Sequence, residues 1–277
     1  MNEQTVSSLK NDITRTAQRD AIPLVNPGIR GSTQRWMHGD SEENFRGKIP
    51  ERFRSLEFDY RINSQGYREE EFDFETPSIL CLGDSFTFGI GLPKHETWSA
   101  RLEDISGIKC VNLSEGGASN NQILRTLRQS IRLFNVVGVV GCLTDLSRQE
   151  YYHVEHDLFF TQKLLPNTGG KTPSEKRIHK LYLKGQSETD SFIRFVQHVQ
   201  GMEDVCRGNQ VPFFWSTWDH EVAALDDDFM ALYFDPACRM PHFLKGMDVA
   251  RDNGHFGHVS NDAFAQLTYD AIKDTIK

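Results

Sequence analysis

Between residues 78 and 276, short apolar runs alternate with segments of helical period, and few folds accommodate that alternation. Ile79-Leu80-Cys81-Leu82 and Val136 to Leu143 are near-continuous apolar stretches, as strands buried on both faces require. Lys109 to Leu113 and Val211 to Trp218 read as two further strands. Between them lie helical patterns. Thr97 is placed to cap a helix carrying Trp98, Leu102 and Ile105, which Ser106-Gly107 ends. Asn120 or Asn121 caps a second, with Ile123, Leu127, Ile131 and Phe134 on one face. Phe192, Phe195, Val196, Val199 and Met202 mark a third, and Asn261 to Ile276 a last one with Phe264, Leu267, Ile272 and Ile276. Strand-helix alternation predicts an α/β protein: a parallel sheet sandwiched between helix layers, three layers in all. In such sheets function collects beyond the strands' carboxyl ends.

The remaining segments read differently. Residues 1–57 are polar, broken by Pro23, Pro27, Gly28, Gly31, Gly39, Gly47 and Pro50, with no sustained period. With nine basic and eight acidic residues this is no charged tail. It is expected to be an irregular N-terminal arm, wrapped on the domain or on a neighbour and available for self-association. Residues 58–277 then form the α/β domain. They open with a short strand from Phe58 to Asn63 and a glycine turn at Ser64-Gln65-Gly66. Residues 151–185 carry Pro166, Gly169, Gly170 and Pro173 and read as an insertion with a basic helix candidate from Ser174 to Leu183.

Composition excludes several classes. The formal charge is −8, with 31 basic against 39 acidic residues and no like-charge run longer than Glu69-Glu70-Glu71, so nucleic acid is not an expected partner. There is no 18-residue apolar span and no apolar leader in the polar first 40 positions, so neither a membrane nor secretion is expected and the location is read as cytoplasmic. Cys81, Cys110, Cys142, Cys206 and Cys238 show no Cys-x-x-Cys spacing, and Cys81, Cys110 and Cys142, each in an apolar run, point to buried thiols. Neither a Gly-x-Gly-x-x-Gly nor a lysine-bearing phosphate loop is present, so no cofactor is expected. His153-Val154-Glu155-His156 lacks the spacing of a zinc helix, and no metal is expected there.

Chemistry concentrates at two places. The strand at Ile79 to Leu82 runs straight into Gly83-Asp84-Ser85, which puts a serine just past a buried strand, where a nucleophile would be presented. An ordinary capped turn explains the same triplet equally well. A serine hydroxyl needs a neighbouring base. In Arg251-Asp252-Asn253-Gly254-His255, a helical or turn-like shape would set Asp252 beside His255, where the acid fixes the imidazole tautomer. His258 is a rival base, and Asp252 as a simple turn cap is the plain alternative.

Gly83-Asp84-Ser85, the glycine loop Glu115-Gly116-Gly117-Ala118-Ser119 and the late Asp252-x-x-His255 together resemble the SGNH hydrolases, the GDSL esterases and lipases. The stretch Asn63, Gly66, Tyr67, Arg68 ahead of the first block is common in such proteins. The resemblance covers about residues 78–277. It implies a flavodoxin-like fold and ester hydrolysis through an acyl-serine intermediate, with a small-molecule or carbohydrate ester, such as an O-acetyl sugar, as substrate. On these positions it implies Ser85 as nucleophile and Asp252 and His255 as acid and base. The Ser85 N–H and the Gly117 N–H, or that of Gly116, would be oxyanion donors.

One block departs from the pattern. Where the family carries Gly-x-Asn-Asp, this chain has Gly141-Cys142-Leu143-Thr144-Asp145, so Thr144 takes the place of the asparagine donor. Its hydroxyl offers one hydrogen bond from a shorter side chain. Arg148 is either a source of positive charge for the site or a surface ion-pair partner. Two other function classes stay open: a non-catalytic carbohydrate- or ligand-binding module on the same fold, and an assembly component, for instance of a virus particle, docking through the arm.

Overall fold

The computed structural model describes residues 30–37, 39–45, 50–153, 158–163, 187–243 and 247–276, with isolated positions between 173 and 184. Its elements in chain order are β1 (Ser32–Gln34), α1 (Glu42–Phe45), β2 (Tyr60–Ile62), β3 (Ser78–Gly83), α2 (Ser85–Phe88), α3 (Trp98–Ser106), β4 (Lys109–Asn112) and α4 (Asn120–Ser130). There follow β5 (Val136–Leu143), β6 (Arg148–His153), β7 (Leu158–Lys163), α5 (Glu188–Gly208), β8 (Phe213–Thr217), α6 (His220–Ala223), α7 (Asp227–Ala231) and α8 (His258–Ile272).

The central sheet has the order β4-β3-β5-β8 and is parallel throughout. Alternate side chains of each strand feed two separate cores, as the two-residue strand period demands. Leu80, Leu82, Val139 and Leu143 join Ile123, Leu127, Phe195 and Val199 of α4 and α5 on one face. Ile79, Cys81, Val140 and Cys142 join Trp98 and Leu102 of α3 and Phe264 and Ile272 of α8 on the other. This is the three-layer α/β/α arrangement expected from the strand-helix alternation. The chain leaves β3 for β4 on one side and returns to β5 on the other, so the sheet's switch point lies between β3 and β5. There the crevice of such a sheet opens.

Local details differ from the sequence reading. Ser119, rather than Asn120 or Asn121, caps α4, because its side chain accepts the Gln122 N–H. That frees the Asn120 amide to bind both backbone groups of Thr144, at 2.9 Å each. Helix α8 begins at His258, three residues earlier than expected, because the Asp248 carboxylate accepts the N–H groups of Val259 and Ser260. Residues 32–34 of the expected arm pair antiparallel with 60–62, so β1 and β2 join across position 57. The 151–185 segment holds β7, paired antiparallel with β6. The expected helix at 174–183 lies largely outside the described residues. Cys81, Cys110, Cys142 and Cys206 are buried and unpaired, and burial pushes the Cys81 and Cys142 thiols well above their ordinary range. No described helix is long and apolar enough to cross a membrane.

Gly83, the last residue of β3, has no room for a side chain. A Cβ there would overlap Thr87 Oγ1 and lie 2.9 Å from the Cys142 carbonyl oxygen. Gly83→Ala is therefore expected to destabilise the protein by about 1–3 kcal/mol through overpacking, read as a lowered urea midpoint with unchanged m-value.

Candidate active site

At the exit of β3, Asp84 caps the four-residue helix α2 by accepting the Phe86 N–H, which leaves Ser85 at the first helical position. The first N–H groups of a helix have no partner within it. Among the described residues neither the Ser85 N–H nor the Ser85 hydroxyl is engaged. The capped turn read from the triplet is present, with Ser85 buried at its first helical position.

The Asp84 carboxylate is fully buried and takes donors from two other connections, the one between β5 and β6 and the one after β8. The Thr144 hydroxyl donates at 2.8 Å, Arg148 Nη1 at 2.6 Å and the Trp218 indole N–H at 3.2 Å. Thr144 is itself fully buried, and its single hydroxyl proton is spent on Asp84. It has none left for an oxyanion, which departs from the donor role read at that position. Arg148 is an inward ion-pair partner whose side chain is 13% exposed. Its Nη1 also reaches the Ala118 carbonyl at 3.2 Å, and its guanidinium lies over the Trp218 ring. The link from Trp218, at the exit of β8, to Asp84 spans 134 residues, and no local sequence signal announces it.

The glycine loop after β4 is held by Asn112, whose side chain bonds the Thr87 carbonyl, Ser99 and Ser114. Gly117 adopts φ +84 with open space around it, a backbone suited to glycine. Its N–H, like that of Gly116, is unclaimed among the described residues.

Asp252 and His255 meet through a turn rather than a helix. Asp252 Oδ1 accepts the backbone N–H groups of Gly254 and His255, and Oδ2 lies 2.6 Å from His255 Nδ1. Asn253 takes the left-handed conformation at φ 57, which asparagine tolerates. Burial alone would raise the Asp252 carboxyl. The hydrogen bond and charge of His255, with the two backbone N–H groups, outweigh it and hold Asp252 below the usual carboxylate range. With Nδ1 on the carboxylate, Nε2 is the nitrogen left for other work. The His255 ring packs on Phe86, centroids 4.7 Å apart, so the imidazole lies against the residue that follows Ser85. His258, the rival base, pairs with Asp248 at 3.0 Å at the start of α8. His156 lies outside the described residues, and among those described there is no cluster of metal-ligating side chains.

No protein-family model and no curated protein matches the sequence. Among solved structures, one titled TesA is 14% identical with a TM-score of 0.45, over 71% of this chain and 98% of that one. The psychrotrophic esterase EstA from Pseudoalteromonas sp. is 15% identical with a TM-score of 0.42, over 71% of this chain and 97% of that one. An acetyl xylan esterase from the rumen bacterium Butyrivibrio proteoclasticus is 11% identical with a TM-score of 0.43, over 73% and 65%.

Glu115, at the start of the glycine loop, carries a titration handle. Burial raises its carboxyl from 4.5 to about 7, aided by the Glu150 charge and opposed by Arg125 and by a hydrogen bond from Gln122. A carboxyl raised on folding keeps a proton that the unfolded chain has released. Its stabilisation is complete below its unfolded value and is lost as pH climbs through about 7. Glu115→Gln removes that slope, so the fall in Tm between pH 5 and pH 8 is expected to be smaller in the variant, as scanning calorimetry would record.

Proposed function

We propose that this protein is a serine hydrolase of the SGNH type that cleaves esters through an acyl-serine intermediate. The observation that carries the reading is the placement of His255. Its Nδ1 is anchored on Asp252 at 2.6 Å and its ring lies on Phe86, next in sequence to the unengaged Ser85 hydroxyl. In the proposed reaction Ser85 Oγ attacks the ester carbonyl while His255 Nε2 takes its proton. Asp252 holds the tautomer and stabilises the imidazolium. His255 then returns the proton to the leaving alcohol, and a water, activated by the same nitrogen, releases the acid from Ser85. The unclaimed N–H groups of Ser85 and Gly117 are the proposed oxyanion donors, with Gly116 as the substitute for Gly117.

A second reading, a binding module on the same fold, is favoured by one observation: Thr144 donates to Asp84, so the site has one donor fewer than the family pattern. A missing oxyanion donor slows turnover by ~10²–10³-fold. Small acyl esters, including acetylated sugars, are the proposed substrates of the hydrolase.

Short-chain p-nitrophenyl esters and acetylated sugars should be turned over by the wild type and lost, on the order of 10⁴-fold or more, in Ser85→Ala and His255→Ala. A fluorophosphonate probe should label the wild type at Ser85 alone. Equal rates in wild type and Ser85→Ala would remove Ser85 from the reaction, and ligand binding without labelling would establish the binding module instead.

A further inference from the structure

Residue 251, just before the proposed acid, is an arginine with no exposed side chain, an unusual burial that requires a partner. That partner is Asp40, 1% exposed and 211 residues away. Arg251 Nε lies 2.9 Å from Asp40 Oδ1, and Nη2 lies 2.6 Å from Oδ2. Arg251 Nη2 also donates to the Arg35 carbonyl at 3.1 Å, and the guanidinium is packed on the rings of Trp36 and Phe58.

From Asp40 the bonding continues to the other half of the site. The Tyr60 hydroxyl donates to Asp40 Oδ2 at 2.5 Å and accepts the Gly91 N–H at 2.7 Å. Gly91 follows directly on Gly89 and Ile90, whose N–H groups bond the Ser85 carbonyl. The Gly91 carbonyl in turn accepts the Arg251 N–H at 3.0 Å. Gly91 sits so close to the acid's backbone that a Cβ would lie 2.9 Å from Arg251 N and 3.1 Å from Asp252 N. Arg68 fastens the same loop from below, through the carbonyls of Phe88, Gly89 and Leu92, with its guanidinium over the Tyr60 ring. The Asn63, Gly66, Tyr67, Arg68 stretch thus delivers the arginine that holds the loop.

We propose that Asp40, Tyr60 and Arg251 are positioning residues that fix the Asp252–His255 turn against the loop leaving Ser85. On this account Asp40 and the β1–β2 pair that carries Tyr60 are a working part of the site. The proposal rests on the reading of Ser85 and His255 as nucleophile and base. A hydrolase of this kind loses on the order of 10²-fold in rate when a group is displaced by about 1 Å, so a small shift of residues 251 and 252 would be read in kcat.

The test compares Tyr60→Phe, which removes only the hydroxyl joining Gly91 to Asp40, and Asp40→Asn with the wild type and with Leu127→Ala, a core variant far from the network. Both network variants should lower kcat by about 10–100-fold with KM within twofold. Both should shift or broaden the low-field proton NMR signal of His255 Nδ1–H. Leu127→Ala should lower Tm and leave kcat and that signal in place. Folded Tyr60→Phe protein with wild-type kcat and an unmoved His255 signal would overturn the proposal, as would an equal loss of kcat in Leu127→Ala. Should Asp40→Asn fail to fold, Tyr60→Phe decides alone. The NMR signal is independent of turnover, so an inactive wild type would refute the hydrolase reading while the His255 response still judged the positioning.

Discussion

A buried carboxylate without partners costs several kcal/mol, and Asp84 sits with none of its surface exposed at the switch point of the sheet. Everything around it is arranged to meet that demand. The Phe86 N–H comes from the turn after β3, the Thr144 hydroxyl from the exit of β5, the Trp218 indole from the exit of β8 and the Arg148 guanidinium from the start of β6. Three connections that the sheet alone would leave independent, after β3, between β5 and β6 and after β8, converge on one side chain. Removing a partner from such a buried charge costs about 3–5 kcal/mol, so the loops at this end of the sheet are held as a unit.

Two consequences follow for the serine. As helix cap, Asp84 leaves Ser85 at the first helical position, where backbone N–H groups point outward unpaired. As acceptor, it consumes the one proton Thr144 can give. The same interaction that presents one backbone donor therefore withdraws a side-chain donor. The Asp252–His255 turn is built on the opposite principle, from an aspartate that satisfies two local N–H groups with one oxygen and the imidazole with the other.

What the sequence disclosed and what it hid divide along sequence distance. Apolar runs such as Ile79 to Leu82 and Val136 to Leu143 announced β3 and β5 because a strand buried on both faces must be apolar throughout. Asp252 and His255 were legible as a pair because three residues separate them. The partners of Asp84 lie 60, 64 and 134 residues away and leave no local pattern. Position could point to Thr144, but not to where its proton goes. Residues 30–57 looked irregular for a related reason. Of the described ones, Phe53 and Met37 pack into small satellite clusters, Asp40 pairs with residue 251, and residues 32–34 form a strand too short to show a period.

Arg148 matters to the proposed chemistry through charge rather than through reach. In the proposed reaction, attack by Ser85 would build negative charge on the carbonyl oxygen beside the N–H groups of residues 85 and 117. A bare carboxylate at residue 84 would oppose that charge in a medium that screens it poorly. With Arg148 Nη1 at 2.6 Å, the Asp84 charge is neutralised where it lies, and the same guanidinium nitrogen touches the Ala118 carbonyl next to Gly117. The ion pair thus joins the two segments that would hold the oxyanion while cancelling the buried Asp84 charge that would repel it. On the proposed reading, a site with two backbone donors and no asparagine would be weakened by losing that cancellation.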